Sequence, residues 1–282
     1  MNPEALRKEM AAVVKHALAE DIGSGDITSV AIAHKMRCEA HVITREQAVL
    51  CGKAWFTEAF HQVDKAIMVH WHVDDGDEIT PNQVLCDIVG AAKSVLTAER
   101  CALNFLQTLS GTATIARTYA QAVSGLPVKV LDTRKTIPGL RMAQKYAVTR
   151  GGCCNHRFGL SDGILIKDNH IQASGSLLRA IELAKAANPD IPIEVEVESI
   201  SELNEALAAN VDIILLDNFA VTQLKEAVKL CQGNTKLEAS GGVSLDNIRE
   251  IAETGVDYIS VGALTKDVKA IDLSLNFHPV PI

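Results

Sequence analysis

The feature of this 282-residue chain that most limits its fold is a rhythm that sets in near residue 127. Short, mostly apolar runs fall at Val128–Leu131, Ile164–Ile166, Ile193–Val197, Ile213–Leu216, Lys236–Ala239 and Tyr258–Val261. Amphipathic stretches such as "SLLRAIELAKAA", "ISELNEALAAN", "TQLKEAVKLC" and "LDNIREIAETG" separate most of them. Strands that alternate with helices pair in parallel, because each helix carries the chain back to the end where the last strand began. The helices then cover the sheet from outside, and an α/β fold follows. No GxGxxG succeeds the first strand, so a dinucleotide-binding sheet loses ground and an irregular parallel α/β barrel is favoured.

The first third reads differently. Leu6, Met10, Val13, Val14 and Leu18 recur at helical spacing, and the glycines and aspartates of "EDIGSGDITS" end that helix. Between Cys38 and about Val95, "IMVHWHV" alternates Val69, Trp71 and Val73, "DDGD" turns, and "QVLCDIV" follows, which is the texture of antiparallel strands. "TAERCALNFLQTL" returns to helix, with Ala98, Leu103, Leu106 and Leu109 expected to face inward. The expected division is an N-terminal α/β subdomain over residues 1–111 and a barrel over residues 112–269.

Hydrophobic residues make up 48% of the chain and charged residues 22%, so a sizeable core is expected and disorder is not. A formal net charge of -8 argues against nucleic acid or an anionic membrane as the main partner. Any cationic cluster is therefore local. No signal peptide or membrane-length apolar run is read in the sequence. The seven cysteines are an odd number in a chain too long for a disulfide-stapled module, and read as reduced thiols of a cytoplasmic enzyme. Cys153, Cys154 and His156 hint at zinc, but lack a second ligand pair; small buried residues behind a loop are the preferred reading.

In a parallel barrel the active site lies at the carboxyl ends of the strands. Those ends read "DTRKT", "KDNH", "EVES", "LDN", "SGG" and "VGA". Any one loop is polar for ordinary reasons, but six such ends converge on one mouth. Arg134, Lys135, Arg157 and Lys167 supply fixed positive charge, with His156 and His170 beside them. Neighbouring cations repel unless an anion lies between them; the arginine fork suits carboxylate or phosphate and lysine offers a compact charge. The glycine-bearing ends on the last two strands suit a phosphate site built from backbone N–H groups. Glu196 and Asp217 end neighbouring strands, and either neutralise the lysines or hold ribose hydroxyls or a hydrated magnesium ion. A substrate set carrying both carboxylates and phosphates suits the whole list.

Taken in order, "EDIGSGDITS", "TAERCALNFLQTLSGTAT", "DTRKTIPGLR", "GGCCNHRFGLSDGILIKDNH", "EVEVES", "LLDN", "EASGG" and "ISVGAL" resemble the quinolinate phosphoribosyltransferase family along nearly the whole chain. Cys153 and Cys154 stand where that family usually has small residues. The resemblance implies a reaction of quinolinate with phosphoribosyl pyrophosphate that gives nicotinate mononucleotide, pyrophosphate and carbon dioxide, in NAD biosynthesis, with Mg2+ and no organic cofactor. It implies a homodimer of protomers that each join an N-terminal α/β open sandwich to a barrel of about seven strands, the tail 270–282 returning to the first subdomain. Arg134, His156, Arg157 and Lys167 would surround the two carboxylates, with Lys135 at the junction of the substrates and Lys135, Lys167, Glu196 and Asp217 as the catalytic set. Thr133, Thr136 and His170 would complete the substrate contacts. Glu196 and Asp217 would serve ribose and magnesium; Ser240, Gly241 and Gly242, and Val261, Gly262 and Ala263, would bind phosphate. Arg100 would reach in from the partner subunit.

Three other readings stand beside this one. A paralogue associated with molybdate transport shares the fold and many motifs with a different acceptor. A Schiff-base aldolase also places a lysine at a barrel strand end, but its lysine needs desolvation, whereas Lys135 and Lys167 lie among prospective anions. A non-catalytic anion-binding protein has no use for the acids at Glu196 and Asp217.

Overall fold

The computed structural model describes residues 2–33, 35–233 and 235–280. The Asn2 side chain accepts the N–H groups of Glu4 and Ala5 at 2.9 and 3.3 Å, and Pro3 takes the first helical position, where its missing N–H costs nothing. The helix so started, α1 (Pro3–Ile22), ends at Gly23 with φ 54°. There follow β1 (Arg37–Thr44), β2 (Ala48–Val49), α2 (Lys53–Val63), β3 (Met68–Trp71), β4 (Glu78–Ile79), β5 (Val84–Ala91) and the long α3 (Ala92–Ala122). The rhythm then begins with β6 (Lys129–Leu131), α4 (Arg141–Gly151), β7 (Ile164–Ile166), α5 (Asp168–Ser174), α6 (Leu177–Ala187) and β8 (Ile193–Val197). It continues through α7 (Ile200–Ala208), β9 (Ile213–Asp217), α8 (Val221–Cys231), β10 (Lys236–Ser240), α9 (Ile248–Ala252), β11 (Tyr258–Ser260) and α10 (Ala263–Lys266), before β12 (Leu273–Val280).

One unit comprises Met1–Arg117, Ile137–Gly152 and Val268–Ile282. Its main sheet has the order β12-β1-β5-β3 and is antiparallel throughout. Residues of β1 alternate between exposed and buried, the period-2 signature of a sheet with one covered face. The C-terminal strand completes the edge, pairing Thr44 with Leu273 and Arg37 with Val280. Residues 281–282 of the expected tail lie outside the described residues. Phe56, Phe60, Leu85, Ile88, Leu103, Leu106 and Leu109 are fully or almost fully buried in this unit's core.

By packing, the first unit takes in segments beyond residue 111, the boundary read from the sequence. Helix α3 belongs to the first unit as far as Arg117, and residues 137–152, expected in the barrel, belong there too. The cause is packing. Ala143 and Ala147 of α4 lie in the first unit's apolar core, and the Tyr146 hydroxyl donates to Asp75 at 2.8 Å.

The second unit comprises Thr118–Thr136 and Cys153–Asp267. Its parallel ladder runs β6-β11-β10-β9-β8-β7. A single parallel bridge, Leu131 to Cys154, extends it beyond β6. This bridge stands at the place of the expected seventh strand, and from Asn155 the chain continues as loop. Outward-facing Val195, Val197, Ile214, Leu216, Leu237 and Ile259 are buried, and α6, α7 and α8 bury the apolar residues Ile181, Leu203 and Leu224.

One glycine tests the tail's seating. Gly111 lies within α3, where alanine ordinarily stabilises by about 1 kcal/mol. A Cβ at this position would stand 2.1 Å from the carbonyl oxygen of Lys269, which is backbone and has no rotamer by which to yield. Gly111→Ala is therefore expected to destabilise by about 1–3 kcal/mol, as overpacking does. The check is a lowered denaturant midpoint at unchanged slope; a raised midpoint would contradict the seating of the tail.

Candidate active site

The site starts at Asp132, the residue that follows β6 and is fully buried. A buried carboxylate needs donors, and Asp132 has two from the "NHR" segment: Asn155 Nδ2 at 2.6 Å and the backbone N–H of His156 at 2.9 Å. Main-chain bonds between Cys154 and the Val130–Asp132 segment tie the same loop to the strand end. The next turn carries Arg134 and Lys135. Thr133 Oγ1 accepts the Lys135 N–H at 3.1 Å, and Thr265 Oγ1 donates to the Lys135 carbonyl at 2.9 Å.

These anchors place four cations on the wall of one cavity of about 380 Å³: Arg134, Lys135, Arg157 and Lys167. Thr133, His156, Glu196, Asp217 and Ser240 line it with them. The pairing of Ile166 with Val195 brings the next residue, Lys167, beside Glu196, and their side chains form an ion pair. Asp217 pairs with Ser240 across β9 and β10. Asn218, at φ 56°, donates from Nδ2 to Asp217 at 2.7 Å and from its backbone to the Ser240 carbonyl at 2.9 Å. Gly241, at φ 91°, packs against it so closely that a Cβ would stand 2.2 Å from Asn218 Oδ1. Only glycine fits that turn.

Charge is unevenly balanced here. Partial burial, and after it the neighbouring Arg134 cation, hold the Arg157 guanidinium below its ordinary pKa. Arg157 is steadied by donating to the Gly163 carbonyl at 3.1 Å. The arrangement can accept more than one anionic group and orient each by fork or point charge.

Other expected residues sit elsewhere. Thr136, Gly241, Gly242, Val261, Gly262 and Ala263 are not on the cavity wall, although Gly262 lies against the Lys135 side chain, 3.4 Å from where a Cβ would sit. His170 is exposed and turns back to cap α5, Nδ1 accepting the Lys167 N–H at 3.0 Å. Arg100 is exposed on α3 in the first unit. Cys153 is buried, and that burial pushes its thiol up to about 12. A wider groove of about 1090 Å³, beside α1 and α2 in the first unit, is lined by residues such as Leu18, Ile22 and His61 and gathers no comparable set of charges.

Four residues of this region carry no strand-end signal of their own in the sequence. Asp132 is hidden within the "DTRKT" strand end, and Glu194, Glu238 and Ser260 lie inside the barrel below the mouth. A second cavity of about 370 Å³ occupies that lower space, and His156, Arg157 and Glu238 line both cavities as the wall between them. The available signal was alternation: "EVEV" places Glu194 on the same inward face as Glu196.

Comparison with known proteins agrees along the whole chain. The model of the quinolinate phosphoribosyl transferase N-terminal domain matches residues 26–110, and that of the C-terminal domain matches residues 112–276. A probable nicotinate-nucleotide pyrophosphorylase (carboxylating) of Bacillus subtilis is 43% identical over 277 residues, covering 98% of this chain and 94% of the relative. The chloroplastic nicotinate-nucleotide pyrophosphorylase (carboxylating) of Arabidopsis thaliana is 40% identical over 289 residues, covering 95% of this chain and 82% of the relative. The solved nicotinate-nucleotide pyrophosphorylase of Francisella tularensis superposes with a TM-score of 0.94 at 45% identity, covering 99% of this chain and 98% of that one. With both domain models matched in order and relatives similar over nearly their full lengths, the chain belongs to the quinolinate phosphoribosyl transferase family.

Proposed function

We propose that this chain transfers the phosphoribosyl group of phosphoribosyl pyrophosphate to the ring nitrogen of quinolinate, releasing pyrophosphate and carbon dioxide and leaving nicotinate mononucleotide. One observation carries the reading: Arg134, Lys135, Arg157 and Lys167 share a cavity wall with Glu196 and Asp217. The cations match two carboxylates and a pyrophosphate, and the acids match what remains, a sugar that becomes positive as its leaving group departs.

The arginine forks and Lys167 hold the pyridine carboxylates, and Lys135 stands where the two substrates meet. Backbone N–H groups around Ser240–Gly242 and Gly262 receive phosphate. As the bond to pyrophosphate breaks, positive charge grows on the anomeric carbon, and the fixed carboxylates of Glu196 and Asp217 stabilise it. The ring nitrogen's lone pair forms the new bond to that carbon. The ring is now a pyridinium, so the adjacent carboxylate leaves as carbon dioxide, its bonding electrons remain beside the positive nitrogen, and a proton replaces it. The substrate is its own electron sink, and no organic cofactor is needed.

Glu196 and Asp217 offer hard oxygen donors from adjacent strands, the kind of set that holds magnesium together with substrate phosphates. Bound there, directly or through water, the ion would offset charge on the departing pyrophosphate. The cytoplasm is the proposed compartment. All seven cysteines are free thiols, and among the described residues no helix is long and apolar enough to cross a membrane.

The proposed assembly is a homodimer in which Arg100 serves the partner's cavity. Asp26 accepts a hydrogen bond from Thr97 Oγ1 at 2.8 Å, which places the 26–31 turn beside the helical turn that carries Arg100. That turn leaves Ile27 and Val30 83% and 78% exposed, an apolar surface that a second copy would cover.

Quinolinate-dependent pyrophosphate release tests the site. Arg157→Ala removes a charge-assisted bond of about 1.5–3 kcal/mol, so kcat/KM for quinolinate should fall about 10- to 150-fold. Glu196→Gln should instead weaken the response to magnesium and the use of the phosphoribosyl donor, with the quinolinate KM little changed. If Arg157→Ala keeps wild-type efficiency, the acid pocket is misplaced.

The shared site has its own test. Arg100→Ala and Lys135→Ala, each expected to be inactive, are mixed by unfolding and refolding. In a mixed dimer the Arg100→Ala subunit keeps its Lys135 and receives Arg100 from its partner, so one of its two sites is whole. Random pairing should restore about a quarter of wild-type sites. Mixed dimers, verified by mass, that remain inactive would show that Arg100 does not act across subunits.

A further inference from the structure

One side-chain repeat below the mouth, the barrel holds a polar layer that the proposed reaction does not use. Glu194 lies two residues before Glu196 on β8, and Glu238 two before Ser240 on β10; they are 4% and 0% exposed. Two carboxylates withdrawn from water are costly unless donors meet them. His156 Nε2 lies 2.9 Å from Glu194 Oε2 and 3.6 Å from Glu238 Oε2, and the Ser260 hydroxyl donates to Glu238 Oε1.

The other ring nitrogen decides the protonation state of His156. Nδ1 accepts the backbone N–H of Arg157 at 2.8 Å. An accepting nitrogen has its lone pair in use and carries no hydrogen, so the ring is neutral and its one N–H is on Nε2, aimed at Glu194. These three side chains bring potential ligand atoms within 4.8 Å of one another, but with the hydrogen on Nε2 and Nδ1 accepting, neither nitrogen has a lone pair to give a metal ion. Beneath the ring, burial first and the Glu194 charge second hold the Glu238 carboxyl above its ordinary pKa.

We propose that Glu194, backed by Glu238 and Ser260, is a positioning residue that fixes His156 as the neutral Nε2–H tautomer and so makes it an uncharged wall of the acid pocket. The positive charge offered to a dicarboxylate is then set by Arg134, Arg157 and Lys167, and the imidazole contributes shape. The inference rests on the proposed reaction for its kinetic consequence, but the tautomer is a property of the protein alone.

The test uses the full-length enzyme labelled with 15N at histidine, the His156 signals being assigned by their loss in His156→Asn. Without substrate at neutral pH, the spectrum should show one unprotonated Nδ1 and one protonated Nε2. Glu194→Leu should release the ring into a mixture of tautomers and raise the quinolinate KM at least tenfold, with the KM for the phosphoribosyl donor unchanged. Glu194→Gln retains an acceptor oxygen at the same place and should restore the single tautomer, with KM within about threefold of wild type. An imidazolium or an Nδ1–H ring in the wild-type enzyme overturns the proposal, as does a Glu194→Leu enzyme with unchanged tautomer and KM. Should Glu194→Leu fail to fold, the wild-type and Glu194→Gln spectra still decide. A wild-type enzyme that shows the expected tautomer but releases no pyrophosphate with quinolinate would overturn the reaction and leave the tautomer standing.

Discussion

Like charges held together are the constraint on which the rest of this site depends. Two unit charges about 4 Å apart repel by about 4 kcal/mol at an effective dielectric near 20. A fold that gathers Arg134, Lys135, Arg157 and Lys167 around one cavity must hold them there before any anion arrives. It does so with the backbone. Lys135 is fixed through its own N–H and carbonyl by Thr133 and Thr265, and Arg157 is held by the carbonyl of Gly163. Lys167 is met by a carboxylate, that of Glu196. A positive field built in this way is in place before the substrate binds, which is the condition under which electrostatic stabilisation is most effective.

The same logic explains why a fully buried aspartate stands at the root of the mouth. Asp132 contributes no surface to either cavity. Its two oxygens accept from Asn155 and from the His156 backbone, and this joins the end of β6 to the loop that carries His156 and Arg157. Buried charge seldom adds net stability, but it can select one arrangement over others. Here it selects the arrangement in which a strand end and a distant loop present their cations to one cavity.

Much of this was legible in the sequence, for a physical reason. Parallel strands buried on their outer face must be apolar at every second position, and helices that cover them must repeat every 3.6 residues. The runs at Ile193–Val197 and Ile213–Leu216 therefore announced β8 and β9, and the polar residues that end them announced Glu196 and Asp217. The features that stayed hidden depend on contacts between distant segments. No local pattern separates α4 from the barrel helices; Ala143 and Ala147 join the first unit's core only because α1 and α3 offer them a surface. The "CCNH" stretch shows no strand period, since its pairing with β6 amounts to a single bridge at Cys154. His170 follows Lys167 at a strand end, and only the folded turn shows its Nδ1 accepting the N–H of that lysine. Glu194 lies within its strand rather than at its end, although the alternation that places Glu196 inward applies equally to it.

The buried acids complete the balance of charge that the cations begin. A barrel floor of two ionised carboxylates would repel a dicarboxylate from the pocket directly above. A wholly apolar floor would leave the Nε2 hydrogen of His156 without an acceptor, at a cost of about 1–3 kcal/mol for a buried donor. The observed floor lies between these extremes. The Ser260 hydroxyl donates to Glu238, whose carboxyl burial holds above its ordinary pKa, while Glu194 stands 2.9 Å from the ring to accept from it. The polar interior of the barrel is thus the lower half of the anion site, with charge enough to orient a histidine and too little to oppose the substrate.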